Sequence, residues 1–290
     1  GGRPSARQRV PVVKPEPQSA ADYPARSTAA VRQTLVEIGQ ILGSYEGKFA
    51  VVGGAVPWLL LEQDDMIHVG TFDIDLALDP VALADTEYAD LVHALQAHGY
   101  ERGPEDRAFQ LTREVPAEDD GPPTKVVVDF LMPRDAEVPK RERPLVEDFA
   151  VQKADGADLA IDFQALVEIE DRMPGRSGTN RVKIAVASIP ALLGMKGHAL
   201  VGRFKRKDAY DIYYCVRNYP GGPEALAEAC RPLLDRASAL QGYEKIASKF
   251  REVDDHGPTC VREFVEASAA LGDRTPEQWQ TDAFGQVRAF

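Results

Sequence analysis

The sequence contains few cysteines and no long apolar run, and each shortage excludes a class of protein. Its three cysteines, Cys215, Cys230 and Cys260, are odd in number and lack metal-ligand spacing. They therefore predict neither a disulfide framework nor a zinc site, but buried or incidental thiols in a reducing cytoplasm. No apolar run reaches membrane-spanning length and no signal-peptide pattern opens the chain, so we expect a cytoplasmic protein without a membrane partner.

An excess of positive charge is also missing. The formal net charge is −12 at pH 7, which argues against a general nucleic-acid coat protein. A local basic groove stays compatible with this balance, because basic residues crowd into 203–207. At 290 residues, of which 44% are hydrophobic, the chain is long enough for a sizeable core, and we expect two globular domains.

The stretch 49–79 begins with a pattern typical of phosphate binding. Phe49–Val52 is a short apolar run that predicts a buried strand. Gly53 and Gly54 follow it, and residues without a Cβ atom let the backbone approach a bulky ligand. The next apolar residues have helical spacing, and the N-terminus of a helix there would offer free N–H groups to a phosphate.

The same stretch then supplies paired carboxylates. From 72 to 78 apolar residues alternate with Asp73, Asp75 and Ala77, which predicts a strand with one face in the core. Asp73 and Asp75 then emerge on the other face, roughly 6.6 Å apart, which suits hard cations such as Mg²⁺. A phosphate-binding turn beside a carboxylate pair indicates nucleotidyl transfer. The alternative is a solvated pair of aspartates after an ordinary glycine turn.

The strand predicted at 125–132 is apolar on both faces except for Asp129. A lone carboxylate in such a strand costs free energy unless it is paired or bound to a cation. Two interpretations stay open: Asp129 is a third metal ligand beside Asp73 and Asp75, or it forms an ordinary salt bridge at a strand end.

The rest of the chain predicts a tail, an α/β part and a helical end. Five prolines in 1–24 predict a disordered or loosely attached tail. Further elements are expected as follows: helices from Ser27 to about Leu42 and from Pro80 to Gly99, strands at 107–115, 125–132, 159–161 and 181–186, and helices from a Ser188 cap almost to the end. We therefore predict an α/β domain over 25–186 and a helical domain over 187–290.

A second group of charged residues lies in 196–211. Lys196 and Arg203 recur at helical spacing, and together they can neutralise a triphosphate, the lysine as a point charge and the arginine by gripping two oxygens. Asp208 and Asp211 would orient these cations, or Asp208 would act as a base toward an attacking hydroxyl. The alternative is a charged surface helix with ion pairs between successive turns.

Taken in order, these motifs resemble the AbiEii toxin family of polymerase-β-like nucleotidyltransferases, which includes MenT-type toxins. The residues that carry the resemblance are Gly53-Gly54, Thr71-x-Asp73-Ile74-Asp75-Leu76, and Lys196-x-x-Ala199-Leu200-x-x-Arg203-x-Lys205-x-Lys207-Asp208-x-Tyr210-Asp211-Ile212. The resemblance covers about 49–214. It implies a polymerase-β-like core with a mixed or antiparallel sheet, a C-terminal α-helical domain, and a nucleotide cleft between them.

The resemblance also implies roles residue by residue. The matched positions are the metal pair Asp73 and Asp75, the phosphate turn Gly53 and Gly54, the phosphate-binding lysine Lys196 and the essential later aspartate Asp208. Two positions depart from the family pattern: Ala55 stands where members often have Ser or Thr, and Val69, next to His68, stands where they often have a basic residue. We expect altered nucleotide contacts at both.

The prediction is a toxin-type enzyme that transfers a nucleotide from an NTP to RNA, at the 3′ end of tRNA, and releases pyrophosphate. Asp73, Asp75 and Asp129 are the expected ligands of a two-Mg²⁺ site, and Thr71 and Arg203 are expected to contact the nucleotide. A cognate antitoxin protein is the implied partner. Two rivals stay open: an enzyme acting on an aminoglycoside-like molecule or a protein hydroxyl, and a catalytically silent nucleotide- or antitoxin-binding module.

Overall fold

The computed structural model describes residues 17–61, 66–82, 87–117, 121–136, 151–266 and 268–290. Its strands are β1 Phe49–Val52, β2 Asp73–Leu78, β3 Gln110–Val115, β4 Thr124–Pro133, β5 Gln152–Ala154, β6 Gln164–Arg172 and β7 Thr179–Ala187. Its helices are α1 Ala25–Ile41, α2 Ala55–Leu60, α3 Glu87–Gln96, α4 Ala157–Asp162, α5 Ile189–Gly202, α6 Arg206–Asn218, α7 Gly222–Cys230, α8 Ala237–Lys249, α9 His256–Val265 and α10 Pro276–Ala289.

These strands form one mixed sheet in the order β3-β4-β2-β1-β7-β6, with β5 beside β4. Strand β2 is antiparallel to β1 and parallel to β4. This register places Asp75 next to Val52 on one side and next to Asp129 on the other. The sheet topology therefore brings together two carboxylates that are far apart in sequence.

Alternation along β2 decides which of its side chains enter the core. Ile74, Leu76 and Leu78 are fully buried, whereas Asp73 and Asp75 lie on the other face and stay partly accessible. Burying each of the three apolar side chains stabilises the fold by roughly 1.5–3 kcal/mol. A shift of the strand by one residue would reverse both faces, so the core also fixes where the two aspartates point.

Helices cover the sheet and then form the C-terminal part. Helix α1 packs on β4, β6 and β7, and α4 packs on β1, β2 and β4. Helix α5 begins as predicted, because the Ser188 hydroxyl accepts a hydrogen bond from the Ala191 amide at 3.3 Å and Pro190 lies in the first turn. Helices α5 and α6 both contact α2, so the helical part meets the sheet beside the Gly53-Gly54 turn.

The mixed sheet followed by helices confirms the predicted α/β fold class with a C-terminal helical part. The prediction of a strand at 159–161 was wrong, since these residues lie in α4. A short apolar run does not distinguish a buried strand from a buried helix. Here Gly156, at φ +80°, precedes the helix, and Ala157, Leu159 and Ala160 are buried on it.

Several predicted boundaries also differ from the structure: α1 begins at Ala25 rather than at Ser27, and β7 begins at Thr179 rather than at Arg181. The strand expected at 107–115 begins at Gln110, and the helix expected from Pro80 is described from Glu87 onward, with 83–86 outside the described residues. None of the described helices is both long enough and apolar enough to cross a membrane.

The predicted tail falls into two parts. Residues 1–16 lie outside the described residues. Residues 17–24 are attached to the core: Ser19 and Asp22 form a capping box around a 3-10 turn, and the buried Tyr23 ring lies 5.1 Å from the ring of Phe72 and 5.8 Å from that of Phe264. The loose tail was therefore wrong for 17–24, where the capping box and the burial of the Tyr23 ring both hold the segment. The domain limits at 25–186 and 187–290 stay predictions.

Candidate active site

The structure brings Asp73, Asp75 and Asp129 to one face of the sheet. Asp73 and Asp75 alternate with buried residues on β2, and Asp129 is the direct neighbour of Asp75 on the parallel strand β4. The side-chain amide of Gln110 donates a hydrogen bond to Asp129 Oδ1 at 2.8 Å. Because the Gln110 amide is neutral, this hydrogen bond does not compensate negative charge in the cluster.

The electrostatics of this carboxylate cluster are unfavourable without a cation. Withdrawal from water, followed by the neighbouring charge of Asp73, raises the pKa of Asp75 to about 6. Withdrawal from water, followed by the charge of Asp75, raises the pKa of Asp129 to about 8. Like charges held close together disfavour the ionisation of each carboxyl group. A bound cation would offset this repulsion.

The donor set fits a hard divalent ion. Carboxylate oxygens are the protein ligands that Mg²⁺ prefers, and it usually takes one or two of them together with waters and substrate phosphates. Among the described residues, no group of three or more His, Cys, Asp or Glu side chains is arranged to hold a metal ion. The three carboxylates on this face of the sheet therefore do not form a ready-made three-ligand metal site.

The glycine turn lies against the carboxylates. Gly53 has φ +73°, which glycine adopts without the steric cost other residues carry, and a Cβ built on it would lie 1.9 Å from Asp75 Oδ2. A Cβ built on Gly54 would lie 2.8 Å from Lys207 Nζ and 3.0 Å from Thr71 Oγ1. Gly53 is required by its positive φ and by Asp75, whereas a Cβ on Gly54 would displace the end of the Lys207 side chain.

Thr71 orients the first carboxylate of the pair. Its hydroxyl donates a hydrogen bond to Asp73 Oδ1 at 2.5 Å, and the residue is buried. On the other side of the same carboxylate, Lys205 Nζ lies 4.0 Å from Asp73 Oδ2. Asp73 therefore lies between the glycine turn and the start of α6.

A second group, the α5–α6 ion-pair network, consists of Lys196, Arg203, Lys207, Asp208 and Asp211. Lys196 Nζ donates to Asp208 Oδ1 at 2.8 Å and to Asp211 Oδ2 at 2.7 Å. The Arg203 guanidinium grips both oxygens of Asp208, at 2.9 and 3.1 Å. The predicted residues Lys196, Arg203 and Asp208 thus bind one another, and both aspartates are fully buried.

Burial alone would raise the pKa of Asp208, but Lys196 and Arg203 outweigh it and hold that pKa at about 2. The pKa of Asp211 is likewise well below its usual range, because Lys196 and Lys207 outweigh the effect of its burial. Both carboxylates are therefore ionised at neutral pH, with their charge already compensated by protein cations.

These observations place the chain among known proteins. A family model described as "Nucleotidyl transferase AbiEii toxin, Type IV TA system" matches residues 44–285. The chain belongs to the AbiEii family. It is thus a member of a family of toxin-type nucleotidyltransferases, and the family predicted from the motifs is confirmed.

The other two comparisons add little to the AbiEii assignment. No match was found among curated proteins. Among solved structures, the chain is similar to an antigenic nucleotidyltransferase-like protein from Paracoccidioides brasiliensis, with 14% sequence identity, a TM-score of 0.47, and coverage of 85% of this chain and 98% of that chain. So remote a likeness gives no information on the substrate.

Sequence reasoning assigned no role to two residues of this candidate site, Lys207 and His68. Lys207 is buried, and its Nζ donates to Asp211 Oδ1 at 2.8 Å and Oδ2 at 3.1 Å while lying against Gly54. His68 Nε2 lies 3.0 Å from Asp211 Oδ1. The spacing of Lys207 and Asp211, four residues apart on one helix, was an available signal; the approach of His68 was not.

His68 is neutral in this arrangement. Its Nδ1 accepts a hydrogen bond from the Gly70 amide at 3.0 Å, so the ring proton lies on Nε2 and points at Asp211. Burial, followed by the charge of Lys207, lowers the pKa of His68 to about 4. His68 therefore supplies a hydrogen bond to Asp211 but no charge.

Proposed function

We propose that this AbiEii protein transfers a nucleotide from an NTP to the 3′ end of a tRNA, with release of pyrophosphate and in the presence of Mg²⁺. The observation that carries the proposal is the carboxylate cluster on β2 and β4 beside the Gly53-Gly54 turn. Family membership supports the reaction type, and the charge arrangement supports a cation-assisted one. A cytoplasmic location and a cognate antitoxin protein belong to the same proposal.

Asp73 and Asp75, with Asp129 beside them, would hold the metal. Bound there, Mg²⁺ would increase the acidity of the attacking hydroxyl and stabilise charge on the leaving oxygen. Thr71 holds Asp73 by a hydrogen bond, which keeps one carboxylate oxygen in a fixed direction. A carboxylate that is already fixed in this way loses less conformational entropy when the substrate binds.

Lys207 and Lys196 differ in how close they lie to the glycine turn at which we expect the triphosphate. Lys207 Nζ lies against Gly54 at the turn, where it would neutralise phosphate charge as a point cation. Lys196 is held by Asp208 and Asp211. We therefore assign phosphate contact to Lys207 as well as to Lys196, with Lys196 also keeping the two aspartates in register.

Asp208 is better suited to positioning than to proton removal. A carboxylate with a pKa of about 2 is a weak base toward a hydroxyl. Both of its oxygens accept hydrogen bonds from Arg203, and Oδ1 also accepts one from Lys196. We assign Asp208 to holding these two cations at the edge of the cleft.

The experiment is to incubate the protein with Mg²⁺, each α-labelled NTP in turn, and total tRNA, and to separate the RNA on a denaturing gel. Label on tRNA that disappears in Asp73→Ala is the expected result. Asp235→Asn is a matched control, since Asp235 is exposed and away from both clusters in sequence. Full transfer by Asp73→Ala would overturn the proposed mechanism.

The net charge of −12 favours a second candidate, transfer to a small cationic acceptor of the aminoglycoside kind. Pyrophosphate release that needs such an acceptor, with no label on tRNA, would select it. Nucleotide binding without turnover under any divalent metal would select a catalytically silent module instead.

A further inference from the structure

The segment that joins α5 to α6 carries three basic side chains toward the active site. Arg203 and Lys205 have extended backbone, with φ −145° and −137°, and side chains two residues apart on an extended chain point to the same side. Arg203 grips both oxygens of Asp208. Lys207, in the first turn of α6, donates to both oxygens of Asp211. Lys205 lies between these two anchored cations in sequence and faces a carboxylate of the other group.

The carboxylate that Lys205 faces is Asp73, in the cluster on β2 and β4. Lys205 Nζ lies 4.0 Å from Asp73 Oδ2, whereas the hydroxyl of Thr71 donates to the other oxygen, Oδ1. The same Nζ lies 5.8 Å from the centre of the Phe72 ring, and the Lys205 side chain is 10% exposed. A positive charge so far withdrawn from water needs negative charge nearby, and Asp73 supplies it.

The distance between Lys205 and Asp73 indicates attraction between charges rather than a hydrogen bond. Hydrogen-bonded ammonium and carboxylate groups are about 2.7–2.9 Å apart, as Lys196 and Lys207 are from Asp211, at 2.7 and 2.8 Å. At 4.0 Å, Lys205 compensates the charge of Asp73 without a direct bond to Oδ2. A contact of this kind is weaker than those of Lys196 and Lys207, so a cation of higher charge can replace it.

We propose that Lys205 is a counter-ion which Asp73 exchanges for the metal ion, and that its ammonium then binds the phosphates of the NTP. The inference rests on the proposed function. A divalent ion on Asp73 would repel a positive charge held near the same carboxylate. The NTP brings several negative charges to the cluster, and lysine binds phosphate as a point charge at the end of a flexible stem. Lys205 therefore gains a second partner when it loses the first.

This exchange couples metal binding to NTP binding through Lys205. Without the NTP, the ammonium has to leave Asp73 before a metal ion binds there, which lowers the affinity of the cluster for the metal alone. With the NTP, Lys205 has phosphates to bind. Loss of the Lys205 charge should therefore strengthen binding of the metal alone and weaken binding of the NTP. A lysine that only supports the fold would not change the two affinities in opposite directions.

The test measures metal binding and NTP binding separately in Lys205→Met, which removes the charge and keeps most of the side chain. The probe for the metal is Mn²⁺, which prefers the same oxygen ligands as Mg²⁺ and is followed by electron paramagnetic resonance. Without NTP, its Kd should fall about fivefold in Lys205→Met. The Kd of the NTP, measured by calorimetry for each of the four NTPs with Mg²⁺ and no acceptor, should rise about tenfold.

Two controls accompany this variant. Lys205→Arg keeps the charge, and its Kd for Mn²⁺ should stay within about twofold of the wild-type value. Lys183→Met removes an exposed lysine on β7, and both of its Kd values should equal those of the wild type.

Each other outcome has a defined meaning. Binding of Mn²⁺ that is unchanged or weaker in Lys205→Met would overturn the counter-ion, and tighter Mn²⁺ binding with unchanged NTP binding would overturn the contact with phosphate. Neither measurement requires turnover. Opposite shifts of the two Kd values in a protein that transfers no nucleotide would therefore support the exchange and overturn the proposed function. Wild-type protein that binds no Mn²⁺ would overturn both.

Discussion

Two groups of aspartates meet at one site and have opposite electrostatics. In the carboxylate cluster on β2 and β4, the pKa values of Asp75 and Asp129 are raised to about 6 and about 8. In the α5–α6 ion-pair network, the pKa of Asp208 is lowered to about 2 and that of Asp211 lies well below its usual range. Asp208 and Asp211 are more buried than Asp75 and Asp129. Because burial raises the pKa of a carboxyl group, it does not explain why theirs is the lower pKa.

The difference lies in what each carboxylate touches. Asp211 accepts hydrogen bonds from Lys196 and Lys207, whereas Asp129 accepts one from a neutral amide. A carboxylate whose negative charge is compensated by protein cations has its electrostatic partner within the fold. A carboxylate without such a partner is available to bind a cation from solution. The comparison assigns metal binding to the aspartates of the first group, and to those of the second the holding of its cations.

The largest expected effect is on activity when the carboxylate cluster is broken. Asp73→Asn should lower the transfer rate by about a thousandfold or more, since it removes a charged ligand of the expected metal. Its thermal midpoint should not fall, because one of several repelling charges is removed. Initial rates with labelled NTP and a thermal melt measure both, with Asp235→Asn as the surface control. A large loss of stability would mean that the cluster also supports the fold.

The next effect is on stability when the ion-pair network is broken. Asp211→Asn leaves Lys207 buried without its carboxylate partner and removes one of the two carboxylate partners of Lys196. The unfolding free energy should fall by about 3–5 kcal/mol. Urea denaturation at neutral pH measures it, again against Asp235→Asn. A loss below about 1 kcal/mol, the value typical of an exposed pair, would contradict the supporting role.

A smaller effect on the transfer rate is expected when a side chain fills the space between the Gly53-Gly54 turn and the carboxylate cluster. Gly53→Ala forces a Cβ into the position of Asp75 Oδ2 and demands a positive φ, so Asp75 has to rotate away. The transfer rate should fall about 10- to 100-fold with a stability loss of about 1–2 kcal/mol. Gly43→Ala provides the control, since a Cβ there meets nothing within 4 Å. Equal rates in the two variants would show that Asp75 does not need its present orientation.

The smallest effect concerns pH. The pKa of His68 is about 4 in the folded protein against about 6.5 when unfolded, so between these values the unfolded chain binds more protons. The stability that neutral His68 contributes is therefore complete above pH 6.5 and is lost as pH falls toward 4. Between pH 7 and pH 5.5 the loss should be about 1 kcal/mol.

His68→Gln keeps a hydrogen-bond donor without the titration, and its unfolding free energy should depend less on pH by that amount. Denaturant unfolding of both proteins at the two pH values gives the comparison. Parallel pH profiles would mean that His68 is not held neutral by its surroundings.

Much of the carboxylate cluster was predictable from local patterns. Alternation around Asp73 and Asp75 sets a strand face, and this needs only the period of an extended chain. The residue types of Gly53 and Gly54 likewise indicate that another group lies close to the backbone there. They do not indicate that the groups are Asp75 and Lys207. The ion-pair network was visible only as a group of charges, because spacing alone does not distinguish a solvated helix from a buried one.

The sequence by itself determined the α/β class, the start of α5 at Ser188 and the face on which Asp73 and Asp75 stand, because these depend on neighbours within a few residues. Only the tertiary structure decided that Asp129 lies beside Asp75, that Tyr23 is buried between Phe72 and Phe264, and that His68 reaches Asp211. Such contacts join segments that are distant along the chain. Their geometry depends on strand order and helix packing, which the whole core settles together.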